Sequence, residues 1–483
     1  MMLLMFVTMA VTSAVLFWRL IHLDKNAPPG PFPLPLIGTL HAHSICPTPK
    51  QLQNLIGTYG NITSLFFGSK PAVVIDGNSC IREVLNNDSF ADRGLADLHT
   101  LNMIMGTSGL FRADYTAKLK HDRKLVMHVF RKLGIGKPLM EERILFETDA
   151  LVNHFKEKDG CVFNPIKIIH RAVLNNIMIV LVKERFSYDN EEANFMLDSM
   201  MTLSDSFISN AFIDKIPLLR HVPPFKWHIQ SLLYTINGQI DILKRYTNKA
   251  IERFEHGRES CFVDFWLESH DKVVEIHDLL FTMFDLVGAG VESTAITLLW
   301  FLIYVTNRPN IQERIFDEIN YSVGKSRQVG MDDKEGLPFL QAAILETFRY
   351  STITPFIVRQ SNNQSDVGLS NYRIKRGSLI FTNTYGVHFD GKTWNDPQVF
   401  RPQRFLNTER RFTANHNNLM MFGAGKRACP GESLANQELF LMAANLLHKF
   451  RFSVPSVNKR IHEEPRDVPM RAPRPFDIFI ELR

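Results

Sequence analysis

Charge is missing from the start of the chain. Met1 to Trp18 carries no charged side chain, and Leu3, Leu4, Phe6, Val7, Val11, Val15, Leu16 and Phe17 dominate it. An apolar run of this length is near the lower limit for a helix that crosses a bilayer. Arg19, His22 and Lys25 follow, and the excess of positive charge on that side predicts a cytoplasmic body. A cleaved signal would need a basic start and a small-residue cleavage site, and neither is present. The pattern therefore predicts an anchor over 1–20. Residues 21–40 are predicted as a linker, because Ala27-Pro28-Pro29-Gly30-Pro31-Phe32-Pro33 lacks amide donors and has fixed φ angles. The body is predicted to occupy 41–483.

Within the body, helical periodicity dominates. The longest run is Phe281 to Thr306, stopped by Asn307 and Pro309, and a second is Leu434 to Phe450. Short β-like runs occur at Ile62 to Phe67, Ala72 to Ile75, Ser378 to Thr382 and Phe476 to Leu482. The fold class is thus mainly α, with small β-sheets near the two ends of the body. Phe281 to Thr306 is apolar enough to suggest a second membrane span. Asp285 and Glu292 argue against it, because a charge at mid-bilayer costs a few kcal/mol. A buried helix through a large core fits better.

Composition adds little except at two points. Phe is common, at 37 residues against 10 Tyr and 5 Trp, which suits a large apolar interior and an apolar ligand. The five cysteines are odd in number, far apart and free of any CxxC, which excludes a disulfide framework and a structural zinc site. The net charge of +5 is too mild to argue for nucleic acid.

The chemistry concentrates in Phe422-Gly423-Ala424-Gly425-Lys426-Arg427-Ala428-Cys429-Pro430-Gly431, with a helix pattern beginning near Glu432. A thiol just before a helix N-terminus has its thiolate stabilised by the dipole and free amides. A thiolate is a strong axial ligand for haem iron. Gly425 and Gly431 would let the backbone turn tightly against a flat macrocycle, and Arg427 would reach a propionate. An arbitrary cysteine is more often a small buried hydrophobe. The GxGxxA match at 423–428 fails as a dinucleotide site, since no strand precedes it.

The loop is similar to the FxxGxRxCxG haem loop of the cytochrome P-450 family, at every fixed position. Three further segments agree in order. Glu346-Thr347-Phe348-Arg349 resembles the family's ExxR. Phe400-Arg401-Pro402-Gln403-Arg404-Phe405 resembles its PxRF segment. Ala289-Gly290-Val291-Glu292-Ser293-Thr294 resembles its AGxETT oxygen-activation segment. The resemblance covers nearly the whole chain, and the anchor and proline strut look like the microsomal branch.

It implies haem b held by Cys429, with Phe422, Gly425, Arg427, Gly431, Arg123 and Arg359 around the cofactor. It implies a structural network of Glu346, Arg349 and Arg404, and a long central helix over the haem. Glu292, Ser293 and Thr294 would manage protons. The implied reaction is insertion of one oxygen atom from O2 into a lipophilic small molecule. Electrons would come from an NADPH-dependent flavoprotein reductase, with cytochrome b5 as a further partner, at the endoplasmic reticulum membrane.

Two departures stand out. Ser293 replaces the family's usual Thr, and Leu119 replaces a Trp that would donate to a propionate. Lys118, Lys120, Arg123, Lys124, Arg131, Lys132 and Lys426 form a basic set suited to an acidic redox partner. Pocket candidates are Leu101 to Phe111, Ser206 to Phe212, Phe281 to Gly288, Thr354 to Val358 and Arg474 to Phe476. The rival functions are a haem-thiolate isomerase or dehydratase that needs no O2, and a non-enzymatic haem-binding membrane protein.

Overall fold

The computed structural model describes residues 12–13, 26–34, 37–44, 46–94, 109–206, 213, 217–269, 276–413, 417–455, 460–466 and 470–483. Apart from residues 12–13, the predicted anchor lies outside the described residues, as do the pocket candidates at 101–108 and 207–212.

Six helices position the site: α1 (Ala117–Lys132), α2 (Ile166–Val182), α3 (Glu191–Asp205), α4 (Ile276–Thr306), α5 (Pro338–Ser351) and α6 (Glu432–Lys449). The apolar run read as a core helix is α4. It starts five residues earlier than its periodicity showed, at a stretch that includes Asp278. From Thr294 to Thr306 every residue is buried, as expected of a helix that is apolar all round. Its length and composition would suit a membrane span, but two-thirds of its most apolar window is packed inside the protein. The closest partner is α2, itself buried over most of its length. The Ile177 side chain of α2 packs onto Gly290, where an added Cβ would lie 2.8 Å from Ile177 Cδ1.

The strands are short. β1 (Ile62–Phe67), β2 (Lys70–Ile75), β4 (Phe356–Gln360) and β7 (Leu379–Asn383) form one sheet in the order β1-β2-β7-β4. β3 (Val162–Phe163), β9 (Ile478–Leu482) and β8 (Phe450–Ser453) form a second, and β5 (Val367–Leu369) pairs with β6 (Tyr372–Ile374). In the first sheet β2 runs parallel to β7, and the other pairings are antiparallel.

The proline stretch is not a free linker. Pro29 O accepts from Ser64 N at 2.8 Å, and Asn26 O accepts from Arg373 N at 2.7 Å. A Cβ on Gly30 would lie 2.0 Å from Ser64 O, so the strut lies flat on β1. The ordered body therefore begins before residue 41, because prolines with no amide to satisfy can still offer carbonyls to a sheet.

Candidate active site

Cys429 stands two residues before Gly431, the N-cap of α6. Its amide donates to Phe422 O at 2.9 Å, and this closes the loop. The sulfur is reachable by solvent, yet enough protein surrounds it that burial pushes its thiol up. The Gly431 amide and the Arg123 charge act the other way and are outweighed. The expected stabilisation of a thiolate by the helix start is present but does not dominate. A coordinated cation would supply the remainder.

The two glycines differ in what they contribute. Gly425 has φ +68°, and a Cβ there would lie 2.1 Å from Leu85 O. It is needed for contact with the end of the preceding Asn78–Asn86 helix. Gly431 has φ −92°, and a Cβ would meet only Cys429 Sγ, at 4.0 Å. Its contribution is the amide.

Four guanidinium groups gather beside this loop. Arg427 donates to Ala91 O at 2.9 Å, to Leu110 O at 3.2 Å and to Ala113 O. Arg123, from α1, donates to Ala428 O at 2.7 Å. Arg359, from β4, donates to Arg427 O at 3.4 Å. The fourth is Arg93, which the sequence reading missed. It donates to Val358 O at 3.2 Å, while its buried Nε has no partner. Among the described residues none of the four makes an ion pair.

Burial lowers the proton affinity of all four, and at Arg93, Arg359 and Arg427 the neighbouring arginine charges lower it further. Arg359 falls to about 9, and Arg93 lies well below the usual value. Arg427 falls to about 10, from burial and then the Arg123 charge. Asp92 and Asp114 at Arg427, and Asp285 at Arg93, offset this only in part, and buried like charges are costly. A ligand with two carboxylates relieves that cost, so these residues fit haem and its propionates. Leu119 is 1% exposed and serves the core. No described residue group could hold a bare metal ion through His, Cys, Asp or Glu ligands.

On α4 the expected proton-handling residues separate. Ala289 is exposed although it lies in mid-helix. The Ser293 hydroxyl lies one turn on and donates to Ala289 O at 2.7 Å. Thr294 is turned by about 100° and is 3% exposed, packed in the core. Glu292 also points elsewhere. It accepts from Ser204 and lies near Arg466 and Asp205, and burial raises it to about 7. Ser293 and Thr294 are therefore not interchangeable.

Asp285, also on α4, accepts from Phe111 N at 2.9 Å and holds the turn at 109–111. Arg474 is not a pocket charge. Its side chain is 57% exposed, 3.9 Å from Glu464.

The ExxR segment forms a buried network. Arg349 grips Glu346 through two bonds of 2.8 Å, and Arg404 Nε donates to Glu346 Oε1 at 3.0 Å. Arg349 also donates to His388 O at 2.8 Å and Pro397 O at 3.0 Å. A surface groove of 630 Å³ along Pro138, Glu141 and Phe146 shares no residue with this site.

Residues 28–478 match the family model for cytochrome P-450. The chain belongs to the cytochrome P-450 family. It is 30% identical to cytochrome P-450 2J5 of Mus musculus, covering 95% of both chains. It is 31% identical to cytochrome P-450 2J3 of Rattus norvegicus, over 90% of this chain and 88% of that one. It is 30% identical to cytochrome P-450 1A1 of Rattus norvegicus, over 92% and 90%. As a cytochrome P-450 the protein is a haem-dependent monooxygenase, and it depends on a redox partner for electrons.

Proposed function

We propose that this protein inserts one oxygen atom from O2 into a lipophilic small molecule of the steroid, fatty acid or xenobiotic class, with Cys429 as the axial ligand of haem b. The reading rests on one juxtaposition. A solvent-reachable cysteine precedes a helix, and four arginines without carboxylate partners stand beside it.

When bound, the haem supplies the redox chemistry, and a thiolate ligand favours O–O cleavage. The residues of the chain do the rest. Arg93, Arg123, Arg359 and Arg427 would hold the propionates, and Phe422 would pack against the ring. Ser293 would hold a water on the exposed face it shares with Ala289 and pass its proton inward. Glu292, with a proton affinity near neutral, would exchange protons with the water outside. Glu346, Arg349 and Arg404 would fix the frame beneath.

Electrons would come from an NADPH-dependent flavoprotein reductase docking on α1, with cytochrome b5 using the same face. Lys120, Lys124, Arg131 and Lys132 are exposed there. Lys118 is already paired with Asp122 and Asp278, and Lys426 with Asp88, so they contribute less. The anchor at 1–20 would place the protein in the endoplasmic reticulum membrane with its body in the cytoplasm. The test is turnover of a panel of lipophilic probes with reductase. Oxygenated product that requires both NADPH and O2 is the expected result. Product formed without them would identify an isomerase or dehydratase instead.

A further inference from the structure

The Glu346 network and the cysteine loop are separate pieces of chain, and a histidine that neither motif includes lies between them. His388 ends the short helix Thr384–His388 and is 1% exposed. Its backbone oxygen accepts from Arg349 Nη1 at 2.8 Å. Its ring touches two other segments. Nδ1 lies 2.9 Å from Thr352 Oγ1, and Nε2 lies 3.0 Å from Met420 N.

These contacts fix the tautomer. An amide N–H can only donate, so Nε2 must be the acceptor. The Thr352 hydroxyl spends its proton on Arg349 O at 2.6 Å, so it accepts from Nδ1–H. Every polar atom of the ring is then used once. Burial, followed by the charges of Arg349 and Arg471, lowers the ring to about 3, so it stays neutral in this arrangement at physiological pH. Thr352 itself is held at φ +39°, at the end of α5, with its hydroxyl within hydrogen-bond reach of Nδ1.

On the other side the bonds lead to the sulfur. Met420 O accepts from Gly423 N at 3.1 Å, and Phe422 O accepts from Cys429 N at 2.9 Å. Among the described residues, His388 to Met420 is the hydrogen bond that joins the Glu346 network to the segment entering the cysteine loop. A ring contact between Phe348 and Phe422, with centroids 5.4 Å apart, is its apolar companion. Ring contacts tolerate sliding, whereas an amide–imidazole bond fixes a register.

We propose that His388 is a positioning residue for the thiolate ligand, clamping the start of the cysteine loop to the Glu346–Arg349–Arg404 network through Met420 N. The proposal rests on the haem-thiolate reading above. It explains why a buried histidine stands between two segments that carry the family motifs but not its chemistry.

Three substitutions in the full-length, haem-loaded protein test it. In His388→Gln the amide oxygen can take the place of Nε2 and accept from Met420 N. In His388→Asn the shorter side chain reaches Thr352 but not Met420. Thr352→Ala leaves the ring in place without its guide. The readout is the reduced carbon monoxide complex, normalised to haem content, with the rate at which its thiolate band converts to the band of a neutral-ligand form. His388→Asn should convert faster, on the order of tenfold, as expected for a buried donor left without its acceptor. His388→Gln should restore most of the unsubstituted rate, and Thr352→Ala should fall between. Equal rates for Asn and Gln, or a thiolate band as durable in all three as in the parent, would overturn the proposal. If both His388 variants fail to load haem, Thr352→Ala decides alone: parental durability contradicts the clamp. Absence of a thiolate band in the unsubstituted protein would instead overturn the proposed function.

Discussion

At the scale of single residues, the separation of Ser293 from Thr294 makes a clear prediction. Ser293 shares the exposed face with Ala289, while Thr294 is packed away. Ser293→Ala should cut product formed per NADPH by about tenfold and raise peroxide, because a positioned proton donor is lost. Thr294→Val should change that ratio less than about twofold. Equal effects would contradict the assignment.

Glu292 carries a pH dependence whose sign follows from burial. Its affinity rises from 4.5 to about 7. Below 4.5 the acid is neutral in both folded and unfolded states and costs nothing. Between 4.5 and 7 the unfolded state ionises first, so stability falls as pH rises and then levels off. The loss is about 3 kcal/mol. Glu292→Gln should match the parent in thermal unfolding at low pH and exceed it at pH 8.

Arg93 is the residue that the sequence could not reveal. It lies in Asp92-Arg93-Gly94, with no motif to mark it. Only the fold brings it beside Arg123, Arg359 and Arg427. Arg93→Leu should relieve repulsion in the haem-free protein and yet speed haem loss to an excess of apo-globin by about tenfold or more, the size of a lost charge-assisted bond. Unchanged haem retention would remove Arg93 from the cofactor site.

At the scale of elements, the Glu346 network is the joint that others depend on. Glu346 and Arg349 have no exposed side-chain surface, and Arg404 has little. Glu346→Gln strands two buried guanidinium groups, at a cost of about 3–5 kcal/mol. Chemical denaturation should show that loss, with reduced haem content, and an unaltered midpoint would contradict it.

Element by element, long periodic segments were legible and short ones were not. α4 and α6 appear in the sequence because their apolar runs are too long for a strand and end at clear stop signals. β1 is read with its observed ends, Ile62 and Phe67. β3, with two residues, and β5 and β6, with three each, are too short to show a period of two. β4 carries Arg359 and β8 follows α6 without a turn signal, so neither stood out. In the site, Cys429, Glu346, Arg349 and Arg404 were legible from motifs. The directions of Glu292 and Thr294 were not, because they depend on the rotation of α4 against α2 and α3.

At the scale of the whole molecule, the basic face on α1 carries the proposal that an acidic electron donor docks there. Lys120→Glu with Lys124→Glu should lower reductase-driven turnover by about tenfold at low salt, with the difference shrinking as salt rises. Lys118→Glu should matter less, since Asp278 and Asp122 already engage that amine. Turnover unchanged at low salt would place the electron donor elsewhere.

The central claim is that Cys429 binds haem iron as a thiolate. The absorption spectrum of the purified, dithionite-reduced protein under carbon monoxide tests it most directly. A strongly red-shifted Soret band, lost in Cys429→His, is the predicted result. A band at the position of a histidine-ligated haem in the unsubstituted protein would contradict the account.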